Sequence, residues 1–164
     1  MSEQVSTNII VRNYRTSDYE ETLEILKHLQ NKYDIGLSEE IWRESSGLRQ
    51  FKPNLKRITL IAEDKDSGEV VGMGVIEAKK DSIGRYIGYL DNWATKPDYI
   101  GKGVGKVLAE KATSILKSWG CYSIRINLGY DIASVKKLIH VMGKSLGFKP
   151  LFIVLEKKFE NNDN

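Results

Sequence analysis

A glycine-rich segment is the part of this sequence best suited to binding a phosphate group. In Ile100-Gly101-Lys102-Gly103-Val104-Gly105-Lys106, three glycines alternate with other residues. A turn of this kind exposes successive backbone N–H groups, and at the start of a helix the aligned peptide dipoles favour an anion. The segment therefore predicts a site for an anion such as a pyrophosphate, with Lys102 and Lys106 adding positive charge.

Two other phosphate-binding loops do not match this segment. A Walker loop would require a glycine at position 100 and Ser or Thr at position 107, where the chain has Ile100 and Val107. A dinucleotide-binding fingerprint would require a glycine at position 106 and an acidic residue closing the next strand, where the chain has Lys106 and Leu128. What remains is a glycine-rich turn at a helix N-terminus.

Hydrophobic periodicity predicts the elements that position this loop. Alternating and β-type runs predict strands at 8–13, 58–63, 69–78, 86–95, 122–128 and 152–159. Helical spacing predicts helices from a capping box at Ser17 and Glu20, over 38–50, over 103–119, and from a cap at Ser134 to Leu146. This order predicts an α/β fold in which helices cover a mixed sheet.

Length and charge suit one domain without a nucleic-acid partner. The chain has 164 residues, of which 41% are hydrophobic and 29% are charged, enough for one well-covered core. We expect a single domain over 1–159 and a frayed polar tail over 160–164. The net charge of +3 comes from basic residues spread along the chain, which is not the pattern of a nucleic-acid-binding protein.

The chain carries no sequence signal for export or membrane insertion. Cys121 is the only cysteine, so neither a disulfide nor a cysteine-rich metal site is expected, and a reducing compartment fits best. The stretch Met1 to Asn8 lacks the apolar core of a signal peptide, and no run approaches the roughly 20 apolar residues that cross a bilayer. We therefore expect a cytoplasmic protein with no membrane partner and no metal.

In this element order the glycine loop resembles the signature of the GNAT superfamily of N-acetyltransferases. That signature is Arg or Gln, two residues, Gly, one residue, then Gly or Ala, and it follows a short Pro-containing loop after a central strand. The segment from Pro97 to Lys106 matches at the proline and at every glycine, although Ile100 replaces the opening Arg or Gln. Tyr14 to Tyr19 looks like the family's first strand-to-helix turn, and Leu146-Gly147-Phe148 looks like its closing motif.

The resemblance implies a mostly antiparallel central sheet flanked by helices, with acetyl-CoA as cosubstrate. It implies that backbone groups at the end of the strand before the loop pair with the pantetheine arm, at Trp93, Ala94 and Thr95. The pyrophosphate contacts would come from the loop residues Gly101, Lys102, Gly103, Val104, Gly105 and Lys106. Ser134 falls near a position from which the family often contacts the cofactor with Asn.

Acetyl transfer to an amine needs a base, and Asp91 is the leading candidate. By strand alternation Asp91 shares a face with Tyr89 and Trp93, and a carboxylate among such rings suits a base or an amine anchor. The alternative is that Asp91 bonds to neighbouring backbone or to an arginine. Tyr89 and Asn92 are further candidates, and either could instead position an ordered water.

The acid that protonates the leaving thiolate is not at the family's usual position. The family places a tyrosine four residues before its closing Gly-Phe pair, and that position is Gly143 here. Tyr130 could supply a phenol from the loop before the last helix, or it could instead cover the edge of the core. His140 lies off the apolar stripe of its helix, and His28 lies among polar residues, so both are expected to face solvent.

These residues together predict an N-acetyltransferase that moves acetyl from acetyl-CoA directly to a primary amine of a small molecule or peptide. The segment from Tyr33 to Phe51 is where the family varies to recognise its acceptor, and a homodimer is left open. A non-catalytic acyl-CoA-binding sensor is the alternative, motivated by Gly143 and Ile100. An interaction protein that merely keeps the fold is a third hypothesis.

Overall fold

A computed structural model describes residues 8–33, 37–127 and 132–159, which belong to two compact units, 1–127 and 128–164. The first unit is built on a six-stranded sheet with the spatial order β1-β3-β4-β5-β6, and β2 also pairs with β3. Its strands are β1 Ile9–Asn13, β2 Gln50–Lys52, β3 Leu55–Asp64, β4 Val70–Lys80, β5 Tyr86–Thr95 and β6 Cys121–Ile126. All pairs are antiparallel except β5 with β6, so the predicted mixed, mostly antiparallel sheet is confirmed.

Three α-helices of the first unit accompany this sheet. They are α1 Tyr19–Tyr33, α2 Glu39–Ser45 and α3 Val104–Ser118, and 3-10 turns at Thr16–Asp18 and Pro97–Tyr99 precede α1 and α3. Strand β5 lies where the sequence predicted it, and α3 begins within one residue of its predicted start. Strand β2 was not predicted, because three residues are too few to show an alternating pattern.

The start of α1 is fixed by Asp18 rather than by the predicted capping box of Ser17 and Glu20. The Asp18 carboxylate accepts the backbone N–H of Arg15 at 2.7 Å and two N–H groups of Arg12 at 2.8 Å. Burial alone would raise the pKa of Asp18, but these bonds from Arg12 and Arg15 hold it below its ordinary value. An arginine on β1 thus ties the first strand to the turn before α1.

The helices pack on opposite faces of the sheet. Leu23, Leu26 and Trp42 from α1 and α2 share one core cluster with Met73 and Val75 of β4. On the opposite face, α3 packs through buried residues that recur at helical spacing, namely Val104, Leu108, Ala109, Ala112 and Leu116. Successive residues of a strand point to opposite faces of the sheet. The helices α1 and α2 on one face and α3 on the other therefore cover most of the strand side chains.

The second unit contains α4, Ile132–Leu146, followed by residues without regular structure. Its helix ends at Gly147, which has φ +72°, and the Phe148 N–H bonds back to Met142 O at 3.2 Å. The predicted last strand at 152–159 is wrong: no described strand pairs with it, and its apolar side chains are exposed. Alternation sets which side chains share a face, but a strand also needs a partner for its backbone groups.

No helix among the described residues combines the length and the apolar character needed to cross a membrane.

Candidate active site

The glycine loop leads from the end of β5 into the N-terminus of α3. Gly101 has φ +82° and Gly103, the N-cap of α3, has φ +85°, a left-handed conformation that glycine adopts without the steric cost of a Cβ. The first turn of a helix has no intrahelical acceptor for its N–H groups. The amides of Val104, Gly105 and Lys106 are therefore oriented for an anion beyond the N-terminus of α3.

The charges around this turn also favour an anion. Lys102 and Lys106 are exposed, and the first turn of α3 contains no acidic residue. The Nζ atom of Lys102 lies 5.0 Å from the ring centroid of Tyr99. Val104 is buried, so its side chain belongs to the core of the first unit and not to a ligand-facing surface. The loop thus fits a diphosphate through its amides and its two lysines.

Tyr99 connects the turn before the loop to the β3–β4 hairpin. Its hydroxyl donates toward Asp64 Oδ2 at 3.0 Å and Glu69 Oε2 at 3.2 Å, and Glu69 also pairs with Lys96. The bond to Asp64 raises the pKa of Tyr99, while the Asp66 backbone N–H and the Tyr99 hydroxyl lower the pKa of Asp64. Sequence reasoning missed this network, because only the folded hairpin brings its members together.

Gly72 sets the distance between β4 and the start of α3. A Cβ at position 72 would lie 2.6 Å from Val104 Cγ1 and 3.2 Å from the carbonyl oxygen of Ala94. The 2.6 Å contact is shorter than real Cβ atoms show, so a side chain at position 72 would require Val104 to move. The close packing holds the first turn of α3 against the end of β5, where the cofactor residues were predicted.

A β-bulge in β5 separates Asp91 from Trp93. The ladder pairs Val75 with Asp91 and Met73 with Ala94, which leaves Asn92 and Trp93 together opposite Gly74. Asn92 has φ +46°, a left-handed conformation that is uncommon outside glycine. Such an insertion of one residue reverses the alternation of faces beyond it.

The predicted shared face of Asp91 and Trp93 is therefore wrong. The Trp93 ring lies over Gly74, where a Cβ would come within 2.2 Å of it, whereas Asp91 lies beside Val75 on the face that packs against α1. Tyr89 remains on the Asp91 side, opposite Glu77. The two faces of β5 thus carry different groups: an indole on the α3 side and a carboxylate on the α1 side.

The end of β5 has an open edge toward β6. The parallel ladder between the two strands stops at Leu90 and Ile126, and no described strand pairs with 91–95 on that side. Ala94 is buried, whereas Trp93 and Thr95 are half-buried. Backbone groups on this edge could therefore pair with an extended ligand, as the sequence predicted for the pantetheine arm.

The Asp91 carboxylate is exposed, and its Oδ1 accepts the N–H of Asn92 at 2.9 Å. A bond from Asp91 to neighbouring backbone was the predicted alternative to a catalytic role for this residue. Because a carboxylate can accept several hydrogen bonds, the contact orients Asp91 without using all of its capacity to bind an amine.

A charged network lies beside Asp91 and Tyr89 on the same face. Buried Arg57 donates to Glu77 Oε1 at 2.8 Å and to the carbonyl of Ser45 at 3.2 Å, and Lys79 Nζ lies 3.0 Å from Glu77 Oε2. Burial favours a higher pKa for Glu77, but Lys79 and Arg57 lower it below its ordinary value. The Lys79 ammonium also lies 5.5 Å from the Tyr89 ring centroid. The network gives this face a polar lining.

A cleft of about 490 Å³ lies between the start of α1 and the end of α2. Tyr14, Tyr19, Glu20, Arg43 and Glu44 line part of it, and no residue of the glycine loop does. Its α2 residues fall within 33–51, the segment expected to vary with the acceptor. The cleft is therefore separate from the predicted diphosphate site.

The predicted groups near α4 are only partly described. Tyr130 lies outside the described residues. Ser134 falls inside α4, which begins at Ile132, so it is not the predicted cap, and its side chain is outside the described part. Gly143 is half-buried within α4, whereas His140 and His28 are exposed, as their positions on the helices predicted.

A sequence profile described as the Acetyltransferase (GNAT) family matches residues 19–148, which include the loop, the bulged strand and all of α4. The chain belongs to the GNAT family of acetyltransferases. The matched range covers well over half of the sequence, so the predicted family is confirmed.

Individual GNAT relatives are distant in sequence. A glucosamine 6-phosphate N-acetyltransferase from Trypanosoma brucei brucei is 26% identical over 116 residues, 70% of this chain and 76% of that protein. A solved glucosamine-6-phosphate N-acetyltransferase from Arabidopsis thaliana has a TM-score of 0.71 at 19% identity, over 93% of this chain and 99% of its own. A Trypanosoma brucei acetyltransferase has a TM-score of 0.67 at 22% identity, over 93% and 100% of the two chains. At these identities the solved structures share the GNAT fold with this chain.

Proposed function

We propose that this protein transfers an acetyl group from acetyl-CoA directly to a primary amine of a small molecule or peptide. The observation that carries the proposal is the adjacency of two features, the left-handed glycine turn that opens α3 and the open edge of β5 that precedes it. The turn suits a diphosphate, and the edge suits an extended arm. A thioester carrier with both parts matches this arrangement.

Each part of the site has a proposed role. Bound acetyl-CoA would supply the activated acetyl thioester. The amides and lysines of 101–106 would bind its diphosphate, and the backbone of 93–95 would pair with its arm. Gly72 would keep these two binding segments in register, because it allows Val104 to pack directly on β4. Ser134 would add a contact from α4.

Asp91 would accept the proton that the attacking amine must lose, directly or through water. Its exposure allows an amine to reach it, and the Asn92 N–H fixes its orientation. Tyr130 would protonate the leaving thiolate, since position 143 carries no hydroxyl. The predicted location in the cytoplasm would supply both acetyl-CoA and a reducing environment for Cys121.

A polar acceptor suits the face that carries Asp91. The network of Arg57, Glu77 and Lys79 lines that face with charged groups, which favour an amine that also bears hydroxyl or anionic groups. Two similar proteins are named for glucosamine 6-phosphate. We therefore propose amino sugars and their phosphates as the first acceptors to examine, ahead of peptides.

The test is incubation with acetyl-CoA and a panel of amines that includes glucosamine 6-phosphate, other amino sugars and short peptides. We expect release of free thiol above the background rate and an acetylated product by mass spectrometry. Absence of both across the panel, in protein that binds coenzyme A by calorimetry, would contradict catalysis and leave binding intact.

A non-catalytic acyl-CoA sensor is the second candidate, favoured by the packing at Gly143. A Cβ there would lie 3.3 Å from the carbonyl oxygen of Phe148, so the chain packs tightly against glycine at the position where the family usually has its acid. The sensor would bind coenzyme A and be stabilised by it, yet release no thiol with any amine. Robust turnover of one acceptor would eliminate this candidate.

A further inference from the structure

Basic and aromatic side chains form one surface at the end of the sheet opposite the glycine loop. We call this surface the basic aromatic patch, and its members are Arg49, Phe51, Lys56, Lys80, Tyr86 and Trp119. Tyr86 begins β5 and Thr95 ends it, so Tyr86 lies about 30 Å, at the usual rise per strand residue, from the strand end that leads to the glycine loop. The patch is therefore separate from the proposed transfer site.

The strand register places this patch on the α3 face of the sheet. Phe51 pairs with Lys56, Lys56 pairs with Ala78, and Ala78 pairs with Gly88. Gly88 faces α3, because a Cβ there would lie 2.9 Å from Leu116 Cδ1. Lys80 lies two residues after Ala78 in β4, so it is on the same face of the sheet. Lys80 pairs with Tyr86, which places Tyr86 on the α3 face as well.

The cations of the patch rest on aromatic rings instead of pairing with carboxylates. The ammonium groups of Lys56 and Lys80 lie 4.9 Å and 5.4 Å from the centroid of the one Tyr86 ring. The Arg49 guanidinium lies 5.8 Å from the Phe51 centroid. Within the described part of the chain, none of these three cations has an ion-pair partner. By contrast, Lys79 on the other face pairs with Glu77.

An aromatic pair supplies the apolar part of the patch. Phe51 packs edge to face on Trp119, with centroids 5.8 Å apart and an interplanar angle of 88°. Phe51 nevertheless remains 58% exposed, so a large part of its ring is available to another side chain. An exposed ring among ordered cations is typical of a surface that binds a partner.

We propose that the basic aromatic patch binds an acidic segment of another protein, with carboxylates beside Lys56 and Lys80 and one apolar side chain against Phe51. Charge complementarity selects the acidic character of the partner. A nucleic acid fits less well, because successive bases stack on successive exposed rings, whereas Phe51 is the one largely exposed ring of the patch and Tyr86 and Trp119 are half-buried. Because Lys56 and Lys80 already rest on the Tyr86 ring, they lose less side-chain conformational entropy when they pair with the carboxylates of a partner.

The test is fluorescence anisotropy with a labelled peptide in which glutamates flank a single phenylalanine. We expect saturable binding that weakens as salt is added. Lys56→Gln and Lys80→Gln should each raise the Kd about fivefold. The matched control is Lys79→Gln, which removes the same charge from the adjacent residue but on the opposite face, and it should leave the Kd unchanged. Equal losses in all three variants would overturn the proposal in favour of non-specific attraction.

Two further comparisons test the aromatic contact and the class of partner. Phe51→Ser should raise the Kd about tenfold for the peptide with phenylalanine and leave it unchanged for a peptide with alanine in its place. Thermal melting of each variant confirms that the fold is retained. Tighter binding of a uridine-rich single-stranded RNA than of the peptide, or no binding of the peptide even at low salt, would refute a protein partner.

Discussion

The hydroxyl of Tyr99 lies 3.0 Å from Oδ2 of Asp64, which joins the turn before the glycine loop to the hairpin between β3 and β4. A second acceptor, Glu69 at 3.2 Å, belongs to the same hairpin. The loop is therefore anchored at its start by this phenol and at its end by the packing of Val104 on Gly72. Anchoring at both ends reduces the conformational freedom of the loop, so less conformational entropy is lost when a ligand binds.

Tyr99→Phe should weaken coenzyme A binding while leaving the turnover number nearly unchanged. Loss of the phenol removes the tie to Asp64 and Glu69, so we expect the Kd to rise about fivefold. Calorimetric titration with coenzyme A measures the Kd, and steady-state kinetics separates KM from kcat. The control is Tyr122→Phe, an exposed tyrosine on β6, which should behave like the parent. An unchanged Kd in Tyr99→Phe would show that the tie does not position the loop.

Gly103→Ala and Gly105→Ala should have opposite effects on stability. Gly103 has φ +85°, so alanine at this position should lower the free energy of unfolding by about 1 to 2 kcal/mol. Gly105 lies inside α3, where a Cβ would meet no atom within 4 Å, and alanine there should be neutral or stabilise by up to about 1 kcal/mol. Chemical denaturation of the two variants measures both changes. Equal destabilisation by the two substitutions would contradict the conformational argument.

Asp18→Asn should destabilise the protein in a pH-dependent way. The bonds from Arg12 and Arg15 hold the folded pKa of Asp18 below its ordinary value, so its contribution is present above the unfolded pKa. That contribution is lost as the pH falls through the folded pKa. We expect a loss of about 2 kcal/mol near neutral pH and a shrinking difference from the parent below about pH 4.

Urea denaturation across pH measures this difference for Asp18→Asn. The control is Asp66→Asn, which changes an exposed carboxylate in the β3–β4 hairpin. A destabilisation of Asp18→Asn that stayed constant down to strongly acidic pH would rule out the ionised pair as its cause.

Asp91→Asn should lower kcat about a hundredfold or more if Asp91 is the base, because an amide cannot accept the proton. Coenzyme A affinity should stay the same, since the diphosphate is proposed to bind at the glycine loop. A pH profile of kcat checks the assignment, because the rising limb due to the base should disappear. Glu110→Gln on the exposed side of α3 is the control. Full activity in Asp91→Asn would assign the proton transfer to another group or to water.

The sequence predicted the regular elements around the loop well. The limits of strand β5 and helix α3 were predicted correctly because Pro97 follows the strand and Gly120 follows the helix. The glycine spacing also identified the family. These signals are local, so they can be read without knowing which segments meet in the fold. The predicted single domain over 1–159 stays a prediction.

The bulge in β5 shows why the faces of the site could not be predicted. Alternation assigns Asp91 and Trp93 to one face only if every residue of β5 has its own partner on β4. Gly74 accepts two partners because it has no side chain beneath the Trp93 ring. That condition depends on a contact across strands, which the spacing of residues in one strand does not reveal.

Contacts distant in sequence account for the other differences. The network of Tyr99, Asp64 and Glu69 joins segments separated by about thirty residues, and the basic aromatic patch collects residues from β2, β3, β4, β5 and the end of α3. In the sequence those lysines look evenly scattered. In the stretch 152–159 the local pattern predicted a strand, but no described strand pairs with it.

The absent side chain at Gly72 has a consequence for how this protein can change. Since Val104 occupies the space that a Cβ would need, the helix that offers its amides and the strand that offers its edge share one fixed spacing. Even an alanine at position 72 would require Val104 to shift, and we expect such a shift to change affinity for the proposed carrier although residue 72 is itself buried. Packing therefore restricts which residues can occupy position 72, although glycine there carries no functional group.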